Sequence, residues 1–361
     1  MHPTYSDTVP AGDSPGNGQD QVSGWFKRTM SKLRRRGEES YIEVTMLGNT
    51  GVGKTTMLAS MYDSLDDVVG NAALDIVAED RGTSRVLAEY LSDLRGLTGE
   101  LRSKPLPGTP DVREYVFDVG RRGKDPLFKI RFTDYPGRYF VQPDLASATE
   151  AERIQRALTK ADVVIVAIDA AALMERDGAY NEQFNTPKVV FDSIRTMLRV
   201  DTDRLVILAP LKCEKYVGTP EGAFALEEKI RKFYQRLLNY MATPEIDERV
   251  GCVLTPVQSI GSVAFNRIDT TANPPEFVYV ATGRGAPFAP KDTDQPLRYA
   301  LKFIVGKYRE TAGPLRSVVQ KIMGTDLVLL MAMQNFSEGC KTTNGFSILH
   351  PHRFLRPWRP Q

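Results

Sequence analysis

Histidine and cysteine are scarce in this chain, with three of each in 361 residues. The histidines, His2, His350 and His352, lie near the two ends, which argues against a histidine-built catalytic centre or metal cage. The cysteines, Cys213, Cys252 and Cys340, are far apart and odd in number. They suit neither a disulfide framework nor a cysteine zinc cluster, and they fit a reducing, cytoplasmic setting. Cys213 reads as a small buried hydrophobe. Long apolar runs are also missing: the densest, residues 327–333, falls far short of the roughly 20 residues of a membrane span. The polar N-terminus has no apolar segment of signal-peptide type. Charge of one sign is missing as well, since the net charge is only +2, which speaks against dedicated nucleic-acid binding. That average hides a gradient. Residues 1–40 hold six basic and five acidic side chains and residues 309–361 hold seven and three, leaving a middle of net −3.

What is present organises as one large domain between two appendages. Residues 1–38 read as a disordered basic tail, because 1–23 are rich in Gly, Pro, Ser, Asp and Asn without periodicity. Within it, residues 25–36 wound as a helix set Trp25, Phe26, Met30 and Leu33 near one face and basic side chains around the rest. That pattern fits a solvated tether or peripheral contact with an anionic membrane. Residues 39–310 carry the domain. Residues 41–47 alternate as a strand, and 54–65 place Met57, Leu58, Met61, Tyr62 and Leu65 at helical spacing. A helix is predicted over 84–97, and a turn-rich loop over 105–111. The strands 112–119 and 127–133, joined by a short polar connector, form an antiparallel hairpin. Helices at 149–160, 188–198 and 223–238 then alternate with apolar strands at 163–168, 205–209 and 252–257, before a last helix at 296–305. The fold class is α/β: a mostly parallel sheet flanked by helices, with one antiparallel strand at its edge from the hairpin. Residues 311–361 read as an extension, helical over 315–333, ending in a Pro-rich, basic, aromatic tail with His350 and His352 in solvent.

The chemistry concentrates in two motifs. Gly48-Asn49-Thr50-Gly51-Val52-Gly53-Lys54-Thr55 satisfies G-x-x-x-x-G-K-[ST] between a strand and a helix. Such glycines let backbone N–H groups curl around a β-phosphate, and the positive end of the helix faces the same anion. Lys54 is expected to bridge the β- and γ-phosphates, the Thr55 hydroxyl to ligate Mg2+, and Thr56 to touch the α-phosphate. Asp134-Tyr135-Pro136-Gly137, at the end of the 127–133 strand, offers a carboxylate for Mg2+ and a glycine N–H that senses the γ-phosphate.

This pairing, with a hairpin between its parts, resembles the translation-factor-like (TRAFAC) class of P-loop GTPases. The resemblance implies a Mg2+-contacting threonine ahead of the second strand, for which Thr109 is the match. It also implies a base-reading [NT]-K-x-D, where this chain reads Leu211-Lys212-Cys213-Glu214. Lys212 can lay its methylenes over a purine, and Glu214 can accept from guanine N1 and N2 at a longer reach. Leu211 lacks the amide that braces such a loop, so guanine over adenine stays an expectation. Ser259, in the loop 256–261, stands where the class has its last base contact. Directly after D-x-x-G, where many GTPases orient water with glutamine, this chain has Arg138. Arginine cannot act as a base. It reads as an internal arginine finger or as a surface ion pair, with hydrolysis completed by a partner.

More narrowly, LGNTGVGKTTMLASMY, TDYPGRYF, LKCEKY, TPVQSIGSV and DQPLRYALKFIV together resemble the bacterial double-GTPase family, second type, over about residues 41–305. That likeness implies GTP/GDP and Mg2+ as ligands, with Lys54, Gly137 and Arg138 as catalytic residues and slow intrinsic hydrolysis. It implies a switch acting beside other proteins, a second GTPase or an effector among them, in conflict or defence-type systems. A non-hydrolysing scaffold and an ATP-using P-loop protein are the alternatives.

Overall fold

A computed structural model describes residues 41–70, 74–96, 100–102, 112–126, 128–137, 148–283, 285–310 and 327–356. The chain opens with β1 (Tyr41–Leu47) and α1 (Lys54–Gly70), then β2 (Leu74–Ala78), α2 (Arg81–Arg95) and the short β3 (Glu100–Arg102). The hairpin of β4 (Arg113–Arg121) and β5 (Phe128–Asp134) leads to α3 (Ala148–Lys160) and β6 (Val163–Asp169). Next come α4 (Ala170–Met174), α5 (Asn181–Phe184), α6 (Pro187–Met197), β7 (Arg204–Leu211), α7 (Pro220–Phe233), α8 (Gln235–Met241) and β8 (Val250–Leu254). The remainder is β9 (Val263–Asp269), β10 (Glu276–Ala281), α9 (Gln295–Glu310), α10 (Leu327–Glu338) and β11 (Ser347–His350).

The main sheet runs β11-β8-β7-β6-β1-β5-β4-β2. Its middle, from β8 to β5, is parallel throughout. Every residue of β6 and β7 is buried, as continuous apolar strands must be when helices cover both faces. The hairpin strand β4 instead alternates, burying Tyr115, Phe117 and Val119, with the Phe117 ring 5.7 Å from Phe132 across the hairpin. α2 forms because Asp80 caps it, accepting from Thr83 N–H at 2.9 Å, and because Leu87, Leu91 and Leu94 share its inner face. β1 lies between β5 and β6: from β1 the chain runs out to the β2, β4 and β5 side and then crosses back to β6 on the other flank. That switch point opens a crevice at the carboxyl ends of the strands, where ligands bind in open α/β sheets.

The alternating core and the antiparallel hairpin are as the sequence predicts, but the edges differ. β4 is not the edge strand, because β2 pairs antiparallel outside it. A second sheet, β3-β10-β9, packs beside the first. The helix expected over 223–238 breaks at Tyr234, whose φ of −105° and ψ of 13° depart from helical values. The helix expected over 315–333 runs from Leu327 to Glu338 among the described residues.

The aromatic tail needs the largest correction. β11 adds an antiparallel strand to β8, and His350 and His352 are buried rather than solvated. His352 Nε2 lies 3.2 Å from Asp203 Oδ1, and its Nδ1 accepts from Phe354 N–H at 3.2 Å. The tail is held because two glycines open a notch. A Cβ on Gly306 would stand 2.7 Å from Phe354 Cβ, and one on Gly251 would stand 3.1 Å from His352 Cβ. No helix among the described residues is long and apolar enough to cross a membrane. Residues 25–36 lie outside the described residues.

Candidate nucleotide-binding site

The motif residues meet at the carboxyl ends of the parallel strands. β1 ends at Leu47 and the Gly-rich loop follows it, while Met46 stands beside Asp134 in the β1–β5 register. Gly48 has a φ of 143°, and a Cβ there would come 2.7 Å from the Ala167 carbonyl of β6, so only glycine lets the chain turn this close to its neighbour. Val52 is buried beneath the loop and Thr56 is half-buried on α1. Asn49 closes the loop on itself by accepting from Thr50 N–H through Oδ1 at 2.7 Å.

Lys54 is folded back into this loop. Its Nζ donates to the carbonyls of Gly48 at 2.9 Å and Asn49 at 3.4 Å, with an Asp134 carboxylate oxygen 3.8 Å away. Burial pulls its ammonium below the usual lysine range, and the Asp134 charge pulls the other way. A buried cation so sparsely compensated is a ready receiver for a polyphosphate. Thr55 donates through Oγ1 to Asp134 Oδ2 at 2.7 Å, which brings a hydroxyl and a carboxylate to one point. Gly137 closes the other side: a Cβ on it would lie 1.9 Å from Thr50 N. The D-x-x-G turn therefore rests directly on a P-loop amide, a contact that no side chain permits.

Hard oxygen donors of this kind fit Mg2+, which binds one or two carboxylates together with substrate phosphates. Among the described residues no group of three or more His, Cys, Asp or Glu side chains gathers as a protein-only metal cluster. Thr109 and Arg138, the other expected ligand and the expected finger, lie outside the described residues.

The base loop follows β7. Leu211 is buried, and Lys212 takes a left-handed φ of 55° that turns its side chain across the P-loop. Lys212 Nζ donates to the Gly51 carbonyl and to Asp169 Oδ2, both at 2.8 Å. Cys213 is sealed in the core, and burial pushes its thiol well up, as suits a small hydrophobe. Glu214 accepts from Gly261 N–H through Oε1 at 3.1 Å, tying the base loop to the loop after β8. Its Oε2 is sealed from water without a hydrogen-bond partner, and burial raises the carboxyl above its ordinary 4.5. In that second loop Ser259 is buried. Its carbonyl accepts from Ser60 Oγ at 2.6 Å, and its own Oγ is buried without a partner.

The geometry thus brings Lys54, Thr55, Asp134 and Gly137 together at the P-loop, with Lys212 crossing to it. Asp169, the last residue of β6, is the participant that motif reading misses. An acid at the end of an apolar strand is its only sequence signal.

The sequence model of the family described as Double-GTPase 2 matches residues 42–247, more than half of the chain. The chain belongs to that family. As a Double-GTPase 2 protein it is a GTP-binding P-loop protein. The match spans the Gly-rich loop, Asp134 and the base loop, and stops before Ser259. No curated protein matches this Double-GTPase 2 chain. Among solved structures it is similar to the signal recognition particle receptor SRb-GTP/SRX complex of Chaetomium thermophilum, at 17% identity and a TM-score of 0.36, over 62% of this chain and 93% of that one. It is also similar to the S. cerevisiae Ski7 GTPase-like domain bound to GTP, at 16% identity and a TM-score of 0.32, over 64% of this chain and 46% of that one. Sup35 complexed with GDP matches at 14% identity and a TM-score of 0.30, over 62% of this chain and 38% of that one.

Proposed function

We propose that this protein binds GTP with Mg2+ at the P-loop and hydrolyses it to GDP and phosphate, as a nucleotide-controlled switch. The observation that carries this reading is the Lys54–Thr55–Asp134 cluster under the Gly-rich loop, where a cation, a hydroxyl and a carboxylate converge. Mg2+ held by Thr55 and Asp134 would offset charge on the phosphates. Lys54 orients the β- and γ-phosphates and neutralises charge as it builds, Gly137 N–H faces the γ-phosphate, and the P-loop amides hold the rest. Arg138 supplies no base, so intrinsic turnover is slow and a protein partner, a second GTPase or an effector, completes it. Family membership supports a place in a bacterial conflict or defence-type system, and the basic segment 25–36 offers peripheral membrane contact.

Support for guanine comes from Glu214. Its Oε2 is buried without a hydrogen-bond partner, and an ionised carboxylate can accept from the N1–H and N2–H donors of guanine. The test is binding of GTP, GDP and ATP to the purified chain with Mg2+, followed by phosphate release. Guanine nucleotides are expected to bind more tightly than ATP, with slow release of phosphate from GTP. Comparable ATP binding overturns the guanine assignment. Tight GTP binding with no release above background leaves the scaffold reading, which the Arg138 replacement favours.

Glu214 also sets a pH dependence. Accepting from two N–H donors requires the ionised carboxylate, and burial holds its pKa above 4.5. Guanine-nucleotide affinity therefore falls as pH drops through that raised pKa, at a higher pH than an ordinary carboxylate would produce. A titration of GDP affinity against pH checks this, and Glu214→Gln should bind weakly with a flat profile.

A further inference from the structure

The brace that Leu211 cannot provide comes from another strand. Asp169 stands opposite Leu211 in the β6–β7 register and uses both carboxylate oxygens. Oδ1 accepts from Ala172 N–H at 3.1 Å, capping α4, and Oδ2 receives Lys212 Nζ at 2.8 Å. Its backbone is held as firmly: Asp169 N–H donates to Asn185 Oδ1 at 2.7 Å, and Asn185 Nδ2 donates back to the Asp169 carbonyl at 3.1 Å. Asn181 Oδ1 accepts from the same Asn185 amide at 2.9 Å, so Asp169 is seated in a buried amide network.

The far end of α4 repeats the device. Glu175 Oε1 accepts from Lys215 Nζ and from Tyr216 Oη, both at 2.7 Å. The chain leaves Glu175 through Arg176, Asp177 and Gly178, with φ of 48°, 57° and 80°. Left-handed conformation at two successive non-glycine residues is unfavourable and persists only where surrounding contacts impose it. Those contacts are Asp177 with Lys229 and Lys232 of α7, and Gly178 against Phe233, whose ring a Cβ would meet at 2.4 Å.

We infer that Asp169 is the positioning residue for purine recognition, holding Lys212 across the P-loop in place of the missing amide, with Glu175 securing the same loop three and four residues on. This rests on the guanine reading above. Lys212 carries a donor bond to Gly51, so fixing its ammonium also fixes the spacing between base loop and phosphate loop. Asp169 acts through Lys212.

The discriminating variant is Asp169→Asn. Asparagine keeps the cap through Oδ1, but then turns an N–H2 donor toward the Lys212 ammonium, so the helix survives and the brace is lost. Binding of fluorescent GDP and ADP to the full chain is measured for the parent, Asp169→Asn, Lys212→Ala and the double variant, with melting temperatures alongside. GDP affinity is expected to fall roughly tenfold in Asp169→Asn, with the melting temperature nearly unchanged, and no further in the Lys212→Ala background. Glu175→Gln should weaken GDP binding less, since amide oxygen still accepts one bond. A guanine-selective parent whose Asp169→Asn variant binds GDP undiminished overturns this inference alone. An equal loss on both backgrounds also overturns it, because Asp169 would then act without Lys212. Equal affinity of the parent for GDP and ADP overturns the guanine reading, and this inference with it.

Discussion

Replacing Lys54 with methionine is expected to lower GTP affinity about a hundredfold, and GDP affinity, where only the β-phosphate is addressed, about tenfold, while the chain still folds. Methionine keeps the apolar stem that fills the loop and removes the charge and its donors. In the folded chain those donors are occupied by the Gly48 and Asn49 carbonyls, and burial disfavours the ammonium, with only Asp134 at 3.8 Å to offset it. A polyphosphate supplies what that environment lacks. One charge-assisted bond is worth roughly 1.5–3 kcal/mol. Two phosphates addressed by one ammonium therefore give about 3 kcal/mol, which is two decades of affinity. Calorimetric titration with GDP and GTP measures it, with a melt of the free variant as a folding control. Undiminished binding would remove Lys54 from the phosphate cradle.

The second large effect lies at the opposite end of the sheet. Phe354→Ala should destabilise the chain by about 3–5 kcal/mol, the usual cost of emptying a buried aromatic site. Phe354 is 3% exposed, its ring 5.4 Å from Phe303 and 4.6 Å from His352, and it fills the gap that Gly306 leaves. A thermal melt should show a drop on the order of 10 °C. Gly306→Val attacks the same notch from the other side, so the double variant should lose less than the sum of its parts. Gly251 and Asp203 stand at the amino ends of β8 and β7, away from the nucleotide loops. GDP affinity below the melting temperature should accordingly match the parent. An unchanged melt would mean that the β11 segment is not part of the cooperative unit.

The two variants probe features of very different legibility. The Gly-rich loop and Asp134 are readable because their chemistry is local. A tight turn needs glycine at fixed spacing, Lys54 follows on the helix it starts, and D-x-x-G after the second hairpin strand places a carboxylate at the carboxyl end of the sheet. The hairpin, the helices and the parallel strands are readable for a similar reason, since alternation, helical spacing and unbroken apolar runs each report burial directly. The notch under Phe354 depends on Gly251 and Gly306, which lie far from it along the chain and carry no side chain to announce it. An aromatic, Pro-rich terminus therefore reads as solvated when it is a strand and a plug.

The base loop falls between these cases. Lys212 and Glu214 can be found by position after an apolar strand, and Leu211 marks a departure that sequence can name. It cannot say what compensates, because Asp169 reaches Lys212 only through the lateral register of β6 on β7. An acid at a strand end serves equally as a helix cap, a metal ligand or a solvent-facing charge, and here it is a cap and a brace together.

By itself the sequence determined that this chain folds as an α/β sheet around a Gly-rich loop; its few, scattered histidines and cysteines argue against histidine, disulfide or zinc chemistry, and it marks the residues expected to face the phosphates. Spacing along one strand–turn–helix is enough for that, since the turn, the helix dipole and the lysine are covalent neighbours. Only the tertiary structure decided that β2 and β11 form the sheet edges, that the scarce histidines His350 and His352 are buried in a glycine notch, and that Asp169 supplies the brace absent from Leu211. Each of these is a contact between segments that the chain order keeps apart, fixed by strand register and by the space glycine leaves.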